Sequence, residues 1–344
     1  YEFRADRPAT HLGEVTLRVS GALPESTLIQ LPAWYPGRYA IYNFAANVQE
    51  ARATCDGAAV PAPKLDQQTW LVRCPGRGHP ASIAFACRVW WDDLTGSHSQ
   101  IDSLHVNLNP GNIFPYVVGH KSDPVTVTYA GPAGWLVVNG ASPAPAPGPV
   151  TQAFSNYDVF IDHPTEISAR FTVDTFRVGR VPYRVVLHAE EGDRAARGPL
   201  LEGIRRIVAA EVAMWGDPPL AGYTFLLHFI PGNRLGGDGR EHLTSTQIIS
   251  AARLDASRLP GTLGTVAHEF VHTWNMKRLR ARELGPWDYT RENHTTTLWV
   301  GEGFTNYYGE RMFYRAGLTD RDGYLAAVTA AVTELQGRPG RLLM

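Results

Sequence analysis

From Tyr1 to about Phe176 the chain carries short runs in which apolar and polar or β-branched residues alternate between turn signals. Val15-Thr16-Leu17-Arg18-Val19, Trp70-Leu71-Val72-Arg73, Ile83-Ala84-Phe85-Ala86-Cys87-Arg88-Val89-Trp90, Val125-Thr126-Val127-Thr128-Tyr129 and Ser168-Ala169-Arg170-Phe171-Thr172-Val173 are such runs. A period of two predicts strands with one buried face. Asp56-Gly57 marks a tight turn. The proline-rich stretch from Ala141 to Pro149 lacks ladder donors and is expected in an exposed loop or at a sheet edge. After about Arg177 the spacing changes. Tyr183–Ala189 and Tyr223–Ile230 read as two more strands. Residues 194–215 then place Leu200, Leu201, Ile204, Ile207, Val208 and Val212 on one helical stripe. Residues 262–279, with Leu263, Val266, Phe270 and Trp274, have similar spacing, and 296–316 and 320–336 also read as helices.

The prediction is an α+β protein of two parts: an N-terminal all-β, sandwich-like domain over 1–176 and a mixed α/β domain over 177–344. Length agrees, because one hydrophobic core rarely serves more than ~250–300 residues. No internal repeat is visible.

Composition narrows the class. A formal net charge of -1 and a pI near 6.9 give no electrostatic case for nucleic acid or an anionic membrane. No apolar run reaches the ~18 residues of a membrane span. The chain has only three lysines, Lys64, Lys121 and Lys277, among 32 basic residues, an arginine bias that fits a GC-rich genome. Three cysteines, Cys55, Cys74 and Cys87, are too few for a disulfide scaffold and lack the paired spacing of a structural zinc site. A Cys55–Cys74 bridge in an oxidising compartment and three buried thiols both remain open. The chain starts at Tyr1 without methionine, so a removed signal peptide is expected, and the polypeptide is expected to continue past Met344.

The chemistry sits in the third helical segment. His268-Glu269-Phe270-Val271-His272 is an HExxH motif. Side chains four apart on a helix share a face, so both imidazoles can reach one metal ion. Glu269 lies on the adjacent flank, placed to take the proton of a metal-activated water. With 12 histidines in the chain, a chance HExxH is expected roughly 0.02 times. A catalytic zinc needs a third protein ligand and an open position. The metzincin pattern fails, since it would put glycine and histidine where the chain has Asn275 and Arg278. A glutamate on a following helix is the remaining solution, and Glu302 in Trp299-Val300-Gly301-Glu302-Gly303 supplies it between two glycines that would let a second backbone approach. Glu310 reads as a solvated helix residue, and Glu292 and His294 are weaker ligand candidates in the connector.

His268 through Arg280, followed by Leu298-Trp299-Val300-Gly301-Glu302-Gly303, resembles the glycyl aminopeptidase family of gluzincin zinc metallopeptidases. Leu31-Pro32-Ala33-Trp34-Tyr35-Pro36-Gly37-Arg38-Tyr39 and Tyr157-Asp158-Val159-Phe160-Ile161-Asp162-His163-Pro164 resemble segments of the same family, so the likeness spans the chain. It implies an N-terminal β-domain, a thermolysin-like catalytic domain, and commonly a helical region and PDZ domain further on. It also implies bound Zn2+, peptide substrates with a free N-terminus, and a periplasmic or secreted bacterial enzyme, with a cytoplasmic location left open.

Gly236-Gly237-Asp238-Gly239-Arg240-Glu241-His242 is similar to the family's G-x-E-H exopeptidase element, although Asp238 and Arg240 depart from its usual run. A carboxylate can hold a substrate ammonium by a charge-assisted hydrogen bond, and glycine leaves room for an edge strand beside the substrate. Glu241 and Gly239 are therefore the candidate substrate-binding residues. A hairpin bearing a surface glutamate is the plain alternative. His242 reads as supporting or structural. Tyr307, Tyr308, Tyr314 and Tyr324 are present for stabilising a developing oxyanion, but spacing selects none of them. Trp34, Tyr35, Tyr39, Tyr42 and Phe44 read either as core or as a stretch reaching over the site. Arg278 and Arg280 read as caps of the zinc helix. The expected activity is release of small N-terminal residues, glycine or alanine. An endopeptidase using the same site and a catalytically weak peptide-binding protein are the alternatives, and a structural zinc is disfavoured for want of a fourth protein ligand.

Overall fold

A computed structural model describes residues 1–21, 23–38, 40–75, 80–233 and 236–342. Tyr39 of the aromatic stretch and the chain end at Met344 lie outside the described residues.

The first half forms three sheets of seven, three and five strands. Alternation does what the pattern predicts: in Leu12–Ser20, Val15 and Leu17 are buried while Glu14 and Arg18 are exposed. All three sheets feed one core that includes Phe3, Ile29, Val72, Phe85, Val106 and Ile167, which gives the sandwich-like domain its single interior. Ala146-Pro147 forms a two-residue edge strand, the place a proline can be tolerated. Cys55 and Cys74 are joined by a disulfide with Cα atoms 5.6 Å apart, and Cys87 is a buried free thiol.

The run predicted as one strand over Ser168–Val173 is split. Thr165–Ser168 ends the five-stranded sheet of the first half. There Ser168 donates its hydroxyl to Leu104 O and accepts from Arg170 N, which turns the chain out of the strand. Thr172–Val178 (β1) then pairs along its whole length with Val181–His188 (β2).

The sheet of the second half adds Tyr223–Phe229 (β3), Asp238–Glu241 (β4) and Ser245–Ser250 (β5), in the order β1-β2-β3-β5-β4. β2, β3 and β5 run parallel, and β4 is an antiparallel edge strand. Every residue of β3 is buried, as expected of a strand covered on both faces. Tyr223, Phe225, Leu227 and Phe229 pack into a core with the helices. The opposite face turns to the β-domain, where Gln247 of β5 donates to Asn107 at 2.8 Å. That face hides β5 from pattern reading, because its polar residues are buried.

Helix α1 spans Arg194–Trp215, the predicted range. Helix α2 spans Leu259–Val271 and carries the HExxH motif at its end. It stops eight residues short of the expected 279. Met276 has φ 86°, in the left-handed region. Leu279 N donates to Trp274 O and Met276 N donates to Leu279 O, so the chain closes on itself in turns. A π-helical turn over Trp299–Gly303 then leads into α3 (Phe304–Arg315), and α4 spans Arg321–Gly337.

Candidate active site

Helix α2 presents both imidazoles to one point. His268 Nε2 and His272 Nε2 stand 3.1 Å apart. Glu302 Oε2 lies 3.7 Å from the first and 3.6 Å from the second. His272 donates from Nδ1 to Asn275 O at 3.2 Å, so its Nε2 is the lone-pair nitrogen facing His268. Two nitrogens and a carboxylate oxygen in a small triangle repel unless a cation sits among them. The donor set and the fixed tautomer therefore fit zinc.

Glu302 is placed by the π-helical turn. Asn275 holds that turn: its Nδ2 lies 2.8 Å from Val300 O, 2.9 Å from Gly301 O and 3.0 Å from Thr305 Oγ1. Thr305 donates in turn to Gly301 O. The two glycines beside Glu302 differ. A Cβ on Gly301 would fall 2.5 Å from Met276 Sδ, whereas Gly303 faces open space. The close backbone approach belongs instead to Gly309, where a Cβ would stand 3.2 Å from His268 Cα. Asn275 and Gly309 were not legible as site residues. Neither carries chemistry of its own, and each acts only through a chain segment distant in sequence.

Glu269 is 6% exposed on the flank of the same helix. Edge strand β4 runs beside it, and a Cβ on Gly239 would sit 2.4 Å from Glu269 Oε1. A side chain there would displace the carboxylate, and its Cβ would also meet Thr265 Cγ2 at 2.7 Å. Asp238 and Arg240, the two departures from the family pattern, fasten β4 to the β-domain. Asp238 pairs with Arg38 and accepts from Gly96 N at 3.0 Å. Arg240 donates to Pro36 O at 2.7 Å and Ser97 Oγ at 2.8 Å.

Glu241 ends β4 and lines a cavity of ≈ 330 Å³ with Trp34, Tyr35, Met276, Lys277 and Trp287. Of the aromatic stretch, Trp34 and Tyr35 are buried, as core packing predicts, and they also wall this cavity beside Glu241. Two buried carboxylates, Glu269 and Glu241, have opposite tendencies. Burial, reinforced by the charge of Glu241, pushes Glu269 up to about 8. Burial also acts to raise Glu241, but His272, Lys277 and Arg240 outweigh it and hold it at about 2. Glu269 is thereby suited to hold a proton and Glu241 to stay anionic. Beside them, His242 Nδ1 lies 2.9 Å from Asp162, which also takes Lys277 at 3.0 Å. Burial opposes ionisation of Asp162, yet Lys277 and His242 hold it at about 2.

The remaining candidates lie elsewhere. Glu310 is exposed. Glu292 and His294 pair with each other at 3.2 Å. Tyr308 packs edge-on against Trp215, Tyr314 stacks on Tyr324, and the Tyr307 hydroxyl takes Arg311, so each is engaged in helix packing or surface contacts. Arg278 donates to Thr273 O just past the helix end, whereas Arg280 stacks over Trp287 at 4.7 Å.

Comparison with known families decides the lineage. The Peptidase M61 N-terminal domain matches residues 1–169, and the M61 glycyl aminopeptidase domain matches residues 261–344. The chain belongs to the M61 glycyl aminopeptidase family. Among solved structures, an aminopeptidase N family protein from Idiomarina loihiensis superposes with a TM-score of 0.82 at 23% identity, over 94% of this M61 chain and 56% of that one. The M61 chain therefore spans little more than half the length of that relative. An M1 zinc metallopeptidase from Deinococcus radiodurans superposes with a TM-score of 0.55 at 16% identity, covering 98% and 74% of the two chains. A mutant of the Deinococcus enzyme bound to a Tyr-Ser-Ala substrate gives 0.53 at 16% identity, over 97% and 73%. These likenesses establish the α+β fold. Comparison with curated protein sequences gave no match.

Proposed function

We propose that this M61 chain is a zinc-dependent aminopeptidase that releases small N-terminal residues, glycine or alanine, from peptides. The observation that carries the reading is the triangle of His268 Nε2, His272 Nε2 and Glu302 Oε2, with edges of 3.1, 3.7 and 3.6 Å, beside a buried Glu269. Bound there, zinc supplies a Lewis acid for the scissile carbonyl and lowers the pKa of water. Glu269 takes the proton of the attacking water and passes it to the leaving amine. Buried on the flank of the helix that carries both imidazoles, Glu269 is placed to carry that proton between the two steps. Glu241, anionic in the cavity wall, binds the substrate ammonium. The free edge of β4 lies along the substrate backbone, with Gly239 keeping that edge clear of Glu269.

The preference for a small first residue rests on the family's glycyl character and on the nearness of the β-domain. A Cβ on Gly37 would come within 3.4 Å of both Glu241 oxygens. We assign residues 1–171 to the β-domain that supplies this wall and 172–344 to the zinc domain; the boundary falls before the expected 176 because Thr172–Val178 pairs throughout with Val181–His188 in the catalytic sheet. An oxidising compartment, the bacterial periplasm or the cell exterior, fits the Cys55–Cys74 disulfide. No helix among the described residues is long and apolar enough to cross a membrane.

The test is hydrolysis of glycine-, alanine- and leucine-p-nitroanilide beside an N-acetylated glycine substrate, with zinc quantified in the same samples. Release from the free glycine and alanine substrates only, lost in Glu269→Gln and strongly reduced in Glu241→Gln, is the expected result. Equal cleavage of the blocked substrate would make the site an endopeptidase. One bound zinc without turnover would leave a peptide-binding role.

A further inference from the structure

The face of the β1–β5 sheet that turns to the β-domain holds a cluster that the active site does not use. His188 ends β2 and His228 lies in β3, and the two are register partners on neighbouring parallel strands. Their strands' helix-facing residues, such as Leu187 and Leu227, belong to the helix-side core, so both histidines point the other way, toward the β-domain. There they meet His105 and Glu166, both supplied by the five-stranded sheet region of the first half. One ligating atom from each of the four residues lies within 4.8 Å of the others, and all four residues are buried.

The contacts are those of a polarised site. Glu166 Oε1 lies 2.9 Å from His105 Nδ1 and 3.7 Å from His188 Nδ1. Glu166 Oε2 lies 3.0 Å from His228 Nε2 and accepts from Asn107 Nδ2 at 3.1 Å. We propose that His105, Glu166, His188 and His228 bind a second divalent metal ion of the zinc class, which fastens the β-domain to the catalytic sheet.

Four observations carry this. First, the donor set is three imidazoles and one carboxylate, a closed four-coordinate shell for zinc. Second, the rings already stand at ligating distances. Their centroids are 4.7, 5.5 and 5.9 Å apart, against 4.8 Å for His268 and His272. Third, the outer partners are oriented as around a metal. Gln100 donates from Nε2 to Asp92 at 3.1 Å, which fixes its amide and turns Oε1 to His105 Nε2 at 2.9 Å. His105 therefore donates from Nε2 and presents Nδ1 inward, the arrangement that sets the tautomer of a ligating histidine. Asn107 is fixed in the same way, its Oδ1 taken by Gln247. Fourth, His188 Nδ1 is buried, aimed into the cluster and, among the described residues, without a hydrogen-bond partner. A buried ring nitrogen without a partner beside a fully buried carboxylate is costly, and a cation at the centre would take a lone pair from each. An entry path exists, since His188 also lines a cleft of ≈ 630 Å³ together with Leu104 and Arg170.

The geometry also says what the ion would do. Two ligands come from each half of the chain, and no position is left open for substrate. The role is structural, holding the two halves in the relation that brings Gly37 against Glu241.

The test separates this ion from the active-site zinc. The full chain is stripped with chelator, dialysed against micromolar Zn2+ and analysed by elemental mass spectrometry. The expected stoichiometry is two zinc ions per chain in the wild type, one in the double variant H268A/H272A, and none in the triple variant H188A/H268A/H272A. Zinc should raise the melting midpoint of the double variant. If the triple variant does not fold, Co2+ loading of the double variant decides instead: visible ligand-field absorption of a four-coordinate site supports the proposal. One zinc in the wild type with none in H268A/H272A, or no Co2+ absorption in that variant, would overturn it and leave a buried hydrogen-bonded ion network.

Discussion

Gly309 of α3 and His268 of α2 meet at backbone distance: a Cβ added to Gly309 would stand 3.2 Å from His268 Cα. The helix that follows Glu302 is thus seated directly on the helix that carries both imidazoles. Any thickening at this point moves Glu302 relative to His268 and His272. Gly309→Ala must open the helices by a few tenths of an ångström, because neither backbone can yield as a flexible side chain would. We expect zinc affinity and kcat/KM each to fall about 10-fold, with a stability loss of about 1 kcal/mol. Chelator competition measures the affinity, and an unchanged value would remove Gly309 from the site's support.

Asn275 acts on the same ligand from the other side. One side-chain amide holds Val300 O, Gly301 O and Thr305 Oγ1. Asn275→Ala frees these acceptors and loosens the turn that aims Glu302. Zinc affinity should fall by about 10- to 100-fold, as when other outer partners of metal ligands are removed. Retention of full affinity would show that the π-helical turn holds itself.

How much of this could be read in advance follows from what each residue does. His268, Glu269 and His272 were legible because a fixed spacing on one helix is itself the geometry of a metal site. Glu302 was legible from its two flanking glycines, although only one of them is tightly packed: Gly301 meets Met276, whereas Gly303 faces open space. Asn275 and Gly309 were invisible because their partners lie 25 to 41 positions away, and only the fold joins them. The strand Ser245–Ser250 escaped notice because its buried polar residues pair with the β-domain and break the apolar pattern. The zinc helix was drawn too long because apolar spacing continues to Trp274, past the point where the backbone turns.

Gly239 sets the clearance of Glu269, the proposed general base. A Cβ there would overlap Glu269 Oε1 at 2.4 Å. Gly239→Ala should therefore displace the carboxylate while leaving the metal ligands in place. We expect kcat to drop by about 100-fold, the scale of a 1 Å misplacement, with the zinc content of the active site unchanged. Loss of the metal together with activity would mean that β4 supports the ligands rather than the base.

The Cys55–Cys74 bridge closes a loop of sequence separation 19 within the β-domain. Its removal in the double variant C55S/C74S should cost about 2–4 kcal/mol in urea unfolding, chiefly through the freer unfolded chain. Zinc binding at His268, His272 and Glu302 should not change, because the bridge touches none of the elements that hold them. Equal unfolding midpoints for the variant and the oxidised wild type would mean that the bridge does not stabilise the domain.

Glu211 gives the sharpest pH prediction. It is fully buried on α1, and among the described residues neither carboxyl oxygen has a hydrogen-bond partner. Burial raises its pKa well above the ordinary 4.5. The folded chain therefore holds the proton over a range in which the unfolded chain releases it. The sign follows from linkage: this group's stabilising contribution is complete below pH 4.5 and is lost as pH rises toward the folded pKa, at up to about 1.4 kcal/mol per pH unit. Glu211→Gln keeps the shape but has no proton to release. Any fixed cost of its amide is the same at every pH, so the informative quantity is how the stability difference changes. Urea unfolding between pH 4.5 and 7.5 should show the variant gaining on the wild type by at least about 1 kcal/mol as pH rises. Parallel curves would mean that Glu211 ionises in the folded protein as readily as in the unfolded chain, and that water or a local opening reaches it.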